Sequence, residues 1–215
     1  MSYYKIKNLE EYFKHYKKSV REPRKFWEKV ASENFTWYQE WDKVVDFNMA
    51  EAEIKWFTNA KVNIVKNCID RHLAKKGDKT AIIFEPNDPT EQALHITYNE
   101  LHERVCKMAN VLKEQGIEKG DRVCIYLPMI PELAISILAC ARIGAIHSVI
   151  FAGFSASAVN SRINDSQCKM VITSDGGYRG NKTIDLKSIV DEALLNSPSV
   201  KNVLVVKRIN TDIDM

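Results

Sequence analysis

Two cations three residues apart, Arg179 and Lys182, frame the run Arg179-Gly180-Asn181-Lys182. The run closes a glycine-rich stretch, Ser174-Asp175-Gly176-Gly177-Tyr178, which follows the apolar pattern Met170-Val171-Ile172-Thr173. Glycines let backbone N–H groups come close to an anion and permit positive φ. An arginine adds a flat fork that grips phosphate with two hydrogen bonds, and a lysine adds a point charge. A phosphate grip and a solvated basic turn are both open on this spacing alone.

The elements that would carry this loop are legible in the surrounding pattern. From Lys79 onward, strand-like and helix-like runs alternate. Thr80–Glu85 and Leu94–Thr97 read as strands around the turn Pro86-Asn87-Asp88-Pro89. Thr97-Tyr98-Asn99-Glu100 reads as a capping box. It opens a helix with Leu101, Val105, Met108 and Leu112 on one face, ended by Gly116. Val123–Leu127, Ser148–Phe151, Met170–Thr173 and Val203–Val206 read as strands. Helices are expected from Pro131 to Gly144, from Ser155 to about Asp165, and over Asp185–Leu195. This rhythm indicates βαβ units and a largely parallel sheet flanked by helices, an α/β fold. Ligands of such sheets bind off the carboxyl ends of strands. Two loops leave such ends, Ala152-Gly153-Phe154 and Ser174 to Lys182, on one sheet edge.

Residues 1–76 differ in texture. They hold all of Trp27, Trp37, Trp41 and Trp56, and no glycine precedes Gly77. Asn8 is placed to cap a helix over Leu9–Val20, Pro23 to start another through Ala31, and Asn63–Leu73 reads as a further helix. The expectation is a helical and irregular segment, 1–76, that wraps a core with aromatic anchors, followed by a first α/β subdomain, 77–215.

The 215 residues suffice for one large core or two small ones, and the 45% hydrophobic and 27% charged content is that of a globular chain. A net charge of +3 falls well short of the polybasic face that a nucleic-acid binder shows, so no nucleic-acid partner is expected. The longest apolar stretch, Leu133 to Ala141, is interrupted by Ser136 and too short to span a bilayer, so no membrane partner is expected either. Met1 to Tyr12 has no apolar h-region. Cys68, Cys106, Cys124, Cys140 and Cys168 are odd in number and widely spaced, as expected of reduced thiols in a cytoplasmic protein. Cys106, Cys124 and Cys140 sit in apolar runs and are read as packing residues. His72 and His147 are read as structural hydrogen-bonding or packing residues, and Asp70 and Arg71 as an ion pair or cap. No Ser-His-Asp, metal-ligand or paired-carboxylate constellation is present, so no catalytic or metal-binding residue is assigned. G-x-G-x-x-G is absent.

Several runs, in order along nearly the whole chain, resemble the N-terminal part of the AMP-forming acetyl-CoA synthetases, within the adenylate-forming acyl-CoA synthetase superfamily. They include Pro23-Arg24-Lys25-Phe26-Trp27, Lys55-Trp56-Phe57, Asn67 to Leu73, and Thr97-Tyr98-Asn99-Glu100-Leu101. Tyr126-Leu127-Pro128-Met129-Ile130-Pro131-Glu132, Ala139 to Val149, Phe151-Ala152-Gly153-Phe154-Ser155 and Arg179 to Lys182 complete the set. The resemblance implies a partial large N-terminal domain of an acyl-adenylate-forming enzyme. It implies a parent protein that converts acetate, ATP (with Mg) and coenzyme A to acetyl-CoA, AMP and pyrophosphate through an acetyl-adenylate.

By the same resemblance, Arg179, Gly180, Asn181 and Lys182 contact the nucleotide end of coenzyme A, whose 3′-phosphate calls for cations. Phe151, Ala152 and Gly153 border its pantetheine channel. Asn181 stands where the family often has glycine, and asparagine tolerates the left-handed conformation. Ala152 likewise replaces a glycine. The superfamily's phosphate loop ending in Pro-Lys-Gly is absent, so a fragment is expected, inactive by itself and without the ATP and acetate sites. Self-association through apolar surface left uncovered is a further expectation. A propionyl-CoA synthetase fragment and a non-catalytic α/β module binding coenzyme A or a nucleotide are the alternatives.

Overall fold

The structure, a computed structural model, describes residues 6–180 and 182–215. Cα packing groups the chain into two compact units, 1–67 and 68–215. The division expected at residues 76 and 77 lies just beyond that point in the chain.

The first unit opens with α1 (Leu9–Arg21), capped by the Asn8 side chain accepting from the Glu11 N–H, and α2 (Pro23–Asn34), with Pro23 in its first turn. Both starts follow the sequence signals. An antiparallel hairpin, β1 (Lys43–Asn48) and β2 (Glu53–Thr58), comes next and was not anticipated. Its signal was present: Ile54 and Trp56 alternate with Glu53 and Lys55. The alternation turns these apolar residues outward, at 58% and 43% exposure, so it lacks the core-facing stripe that usually reveals a strand. Trp37, Trp41 and Phe57 cluster with ring centroids 5.0–5.5 Å apart. Trp27 stays exposed.

The single helix expected over Asn63–Leu73 is instead three pieces: α3 (Ile64–Cys68), a 3₁₀ turn (Asp70–His72) and α4 (Leu73–Lys76). The break comes at Ile69, whose φ of −120° and ψ of −68° leave the helical region. The Asp70 carboxylate takes both Arg142 Nη atoms, at 2.6 and 3.3 Å, so its ion-pair partner is Arg142. The His72 ring packs on Tyr98, centroids 5.8 Å apart, in keeping with a structural role.

In the second unit, β3 (Thr80–Phe84) and β4 (Leu94–Thr97) pair antiparallel as a separate ribbon. Thr97 and Glu100 then form the expected capping box of α5 (Tyr98–Glu114). Four strands build the central sheet: β5 (Arg122–Ile125), β6 (Ile146–Val149), β7 (Met170–Ser174) and, at the end of the chain, β10 (Asn202–Val206). They are parallel throughout, in the order β10-β7-β5-β6. β6 starts at Ile146 rather than the expected Ser148, because the Ile146 N–H already bonds the Asp121 carbonyl at 2.7 Å.

The connections are α6 (Pro131–Ile143), α7 (Ala156–Ser166, capped by Ser155) and α8 (Leu186–Leu194, capped by Asp185). Alternation along each strand divides the core. Cys124, Tyr126 and Val171 pack with Val159, Ile163, Leu186 and Val190 of α7 and α8. Val123, Ile125 and Ile172, one step out of phase and fully buried, face the side where α6 packs on β5 and α5 packs on α6. Burial pushes the Cys124 and Cys140 thiols up to about 12, as expected of packing residues; Cys106 is only half-buried. Among the described residues, no helix is long and apolar enough to cross a membrane.

Ile163 is fully buried between α7 and the sheet. Ile163→Ala is expected to cost about 2–5 kcal/mol of unfolding free energy, read from urea denaturation. A cost below about 1 kcal/mol would mean that this layer is not the packed core described.

Candidate functional site

The strand order sets the location of the site. Chain direction reverses between β5 and β7: the chain moves from β5 outward to β6, then returns past β5 to β7. Carboxyl ends on either side of such a switch diverge and leave a crevice. The segments at its rim are Tyr126-Leu127-Pro128 after β5, Ile150 to Phe154 after β6, and Asp175 onward after β7.

The loop after β6 is a tight turn, with the Phe151 carbonyl accepting from the Gly153 and Phe154 N–H groups at 2.9 and 3.2 Å. The Tyr126 hydroxyl, at the end of β5, donates to the Phe154 carbonyl at 2.8 Å and ties the two exits together. Burial raises the pKa of that phenol. A Cβ on Gly153 would stand 2.9 Å from the Phe151 ring, so the bare backbone lets that ring fold back over the turn. Phe151 itself is 63% exposed.

The stretch from Ser174 to Lys182, expected as a glycine-rich loop, is a β-hairpin: β8 (Gly177–Arg179) pairs antiparallel with β9 (Lys182–Ile184). Its base is a carboxylate. Buried Asp175 accepts the N–H groups of Gly176 at 2.8 Å, Arg208 at 2.7 Å and Ile209 at 3.1 Å. Burial is the largest single influence and opposes ionisation, but these backbone N–H groups together outweigh it and hold the carboxyl below its usual range.

The space that Gly176 and Gly177 leave, open in the sequence to a close-lying anion, is filled by the chain's own atoms. Gly176 is buried, and its N–H is spent on Asp175. A Cβ there would come within 2.4 Å of Ile209 Cδ1 and 2.8 Å of the Ile184 carbonyl oxygen. These glycines are close-packing residues.

Arg179 and Lys182 are directly paired across the hairpin and both exposed. Gly180 between them has φ of +60°, the left-handed turn geometry expected of it. Asn181 lies outside the described residues. The Tyr178 ring stacks under the Arg208 guanidinium at 5.2 Å, and Arg208 also lies over Phe84 at 5.7 Å.

A cavity of ≈ 450 Å³ opens at the switch point, walled by Leu127, Pro128, Met129, Phe151, Ala152 and Arg179, among others. The structure thus brings Phe151, Ala152 and Arg179 to one apolar cavity with a cation in its wall. Gly180 lines a neighbouring cavity of ≈ 440 Å³ with Asn87, Asp88 and Tyr178. Gly153 sits in the turn behind Phe151, and Lys182 stands across the strand pair from Arg179.

Asp175, Tyr178, Arg208 and Asn87 also stand at this edge, and no sequence motif marks them as site residues. Of these, Tyr178 lines the cavity of ≈ 450 Å³, and Pro128-Met129, directly after a buried apolar strand, was a local signal of its wall. Among the described residues, no group of His, Cys, Asp and Glu is arranged to hold a metal ion.

Comparison with known proteins bears on the family and the fold. The family model described as "AMP-binding enzyme" matches residues 69–214, and that described as "Acetyl-coenzyme A synthetase N-terminus" matches residues 12–68. An acetyl-coenzyme A synthetase of Alkalilimnicola ehrlichii is 52% identical, over 93% of this chain and 31% of that protein. One of Magnetococcus marinus is 49% identical, over 96% of this chain and 32% of that protein. The solved acetoacetyl-CoA synthetase from Streptomyces lividans superposes with a TM-score of 0.85 at 26% identity, over 92% of this chain and 30% of that one. The chain spans about a third of the length of the curated relatives it matches.

The Asp175 clamp has a pH signature. A free Asp titrates near about 3.9, and the folded carboxyl lies lower. Its contribution is therefore complete above the unfolded value and is lost as pH falls through the folded one. Asp175→Asn should lower stability at pH 7 and flatten the loss of stability below about pH 4. Urea midpoints measured across that range check this, and an unchanged acid limb would contradict it.

Proposed function

The chain belongs to the AMP-binding enzyme family, and on that premise we propose that it is part of an acetate–CoA ligase. The whole enzyme converts acetate, ATP (with Mg) and coenzyme A to acetyl-CoA, AMP and pyrophosphate through an acetyl-adenylate. This segment supplies part of the coenzyme A site. Arg179 and Lys182 hold the phosphorylated nucleotide end, together with Gly180 and Asn181. Phe151, Ala152 and Gly153 border the path of the pantetheine arm. ATP and acetate are bound outside residues 1–215, which lack the Pro-Lys-Gly phosphate loop. The relatives' names support the acetyl assignment, and five free cysteines support a cytoplasmic location.

One observation carries the site assignment: Phe151, Ala152 and Arg179 share a cavity at the topological switch point. A thin, uncharged arm suits the apolar wall, and an anionic head suits the exposed cations beside it. Arg179 is the charged residue among those that line this cavity.

Charge-assisted hydrogen bonds contribute about 1.5–3 kcal/mol each, so Arg179→Ala in the full-length enzyme should raise the coenzyme A KM roughly 10- to 150-fold. Lys182→Ala should cost less, because its exposed ammonium stays solvated. Acetate-dependent ATP–pyrophosphate exchange, which needs no coenzyme A, should hardly change. Loss of exchange in Arg179→Ala with an unaltered coenzyme A KM would assign the hairpin to folding or adenylation instead.

A further inference from the structure

We propose that Asn87, on the β3–β4 connection, is a positioning residue: its side-chain amide latches the tip of the β8–β9 hairpin and fixes the Arg179–Lys182 pair in a shape that receives an anion. The proposal rests on the coenzyme A reading above for the identity of that anion, but not for the latch itself.

The hairpin cannot be expected to order itself. It has three residues in each strand, and an isolated two-stranded ribbon is marginal in water. Its outermost pair opposes Arg179 to Lys182, and like charges directly across an antiparallel pair are destabilising. The feature that makes the tip useful to an anion therefore works against its closure in the anion's absence. Asp175 secures the base of the hairpin but does not reach its tip.

The tip is held from outside. Asn87 Nδ2 donates to the Gly180 carbonyl at 2.9 Å, a contact between residues 93 apart in sequence. The segment presenting Asn87 is itself folded around Asp88. The Asp88 carboxylate accepts from the Thr90 N–H at 2.8 Å and hydroxyl at 2.7 Å, and the Asp88 carbonyl accepts from the Glu91 N–H at 3.1 Å. A second tie runs parallel to the first, where Phe84 at the end of β3 and Tyr178 of β8 flank the Arg208 guanidinium. The stack fixes the middle of β8, and Asn87 donates to the turn between the two cations. Because Asn87 is exposed, its replacement removes the latch without opening the core.

A hydrogen bond of this kind contributes about 0.5–1.5 kcal/mol net, so Asn87→Ala should accelerate amide exchange in residues 178–184 of the 215-residue chain by about 2- to 13-fold. Asn87→Gln, which keeps the amide donor, should recover most of the protection. In the full-length enzyme, Asn87→Ala should raise the coenzyme A KM by a similar factor while kcat changes little, the pattern of lost binding rather than lost chemistry. Unaltered exchange in the hairpin overturns the latch. A coenzyme A KM that responds to Arg179→Ala but not to Asn87→Ala overturns the positioning role and leaves the site assignment standing. Faster hairpin exchange in Asn87→Ala, with a coenzyme A KM indifferent to Arg179→Ala, sustains the latch and sinks the coenzyme A reading.

Discussion

Everything at the sheet's carboxyl edge hangs on the Asp175 carboxylate. It sits one residue beyond β7 and collects N–H groups from its own loop and from the chain leaving β10. β7 and β10 are neighbours in the sheet, so this one buried anion satisfies the donors that two adjacent strand exits would otherwise leave unpaired. The clamp also fixes Arg208, the residue that stacks on Tyr178. The start of the hairpin and the Tyr178 ring under the Arg208 guanidinium follow from that placement. Glycine at 176 is the steric condition for it, since a Cβ would collide with the segment the carboxylate has drawn in.

The parallel sheet contributes the other half of the site. Strand order β10-β7-β5-β6 puts the exits of β5 and β7 side by side with their crossovers on opposite faces. The Tyr126 hydroxyl then ties the β6 exit to the β5 exit across the rim. Segments well separated in sequence thereby share one cavity. Its wall is built mostly of apolar side chains, with Tyr178 and Arg179 among them.

What the sequence made legible was local. Asn8, Thr97 with Glu100, Ser155 and Asp185 each announce a helix because their partners lie three residues away. The buried strands announced themselves as short β-branched runs between turn residues, and their parallel pairing followed from the helices between them. The contacts that build the site are of another kind. Asp175 meets residues 33 and 34 positions away, and Asn87 meets Gly180 across 93. No period or spacing encodes such pairs. The glycines illustrate the limit: Gly176-Gly177 could be read as places lacking side chains, but not whether an anion or Ile209 and Pro128 fills the space. Near the broken helix at Ile69, Asn67 likewise bonds Thr36 across 31 positions while its amide also donates to the Asn63 carbonyl.

The central claim is that the Arg179 guanidinium meets a phosphate of coenzyme A rather than merely solvating the hairpin. The most direct measurement is a two-by-two comparison in the full-length enzyme, with wild type and Arg179→Ala each assayed with coenzyme A and with its 3′-dephosphorylated form. If Arg179 holds the 3′-phosphate, the two changes are coupled: the variant loses affinity for coenzyme A and hardly any for the dephosphorylated form. Losses that simply add would place Arg179 away from that phosphate and contradict the account.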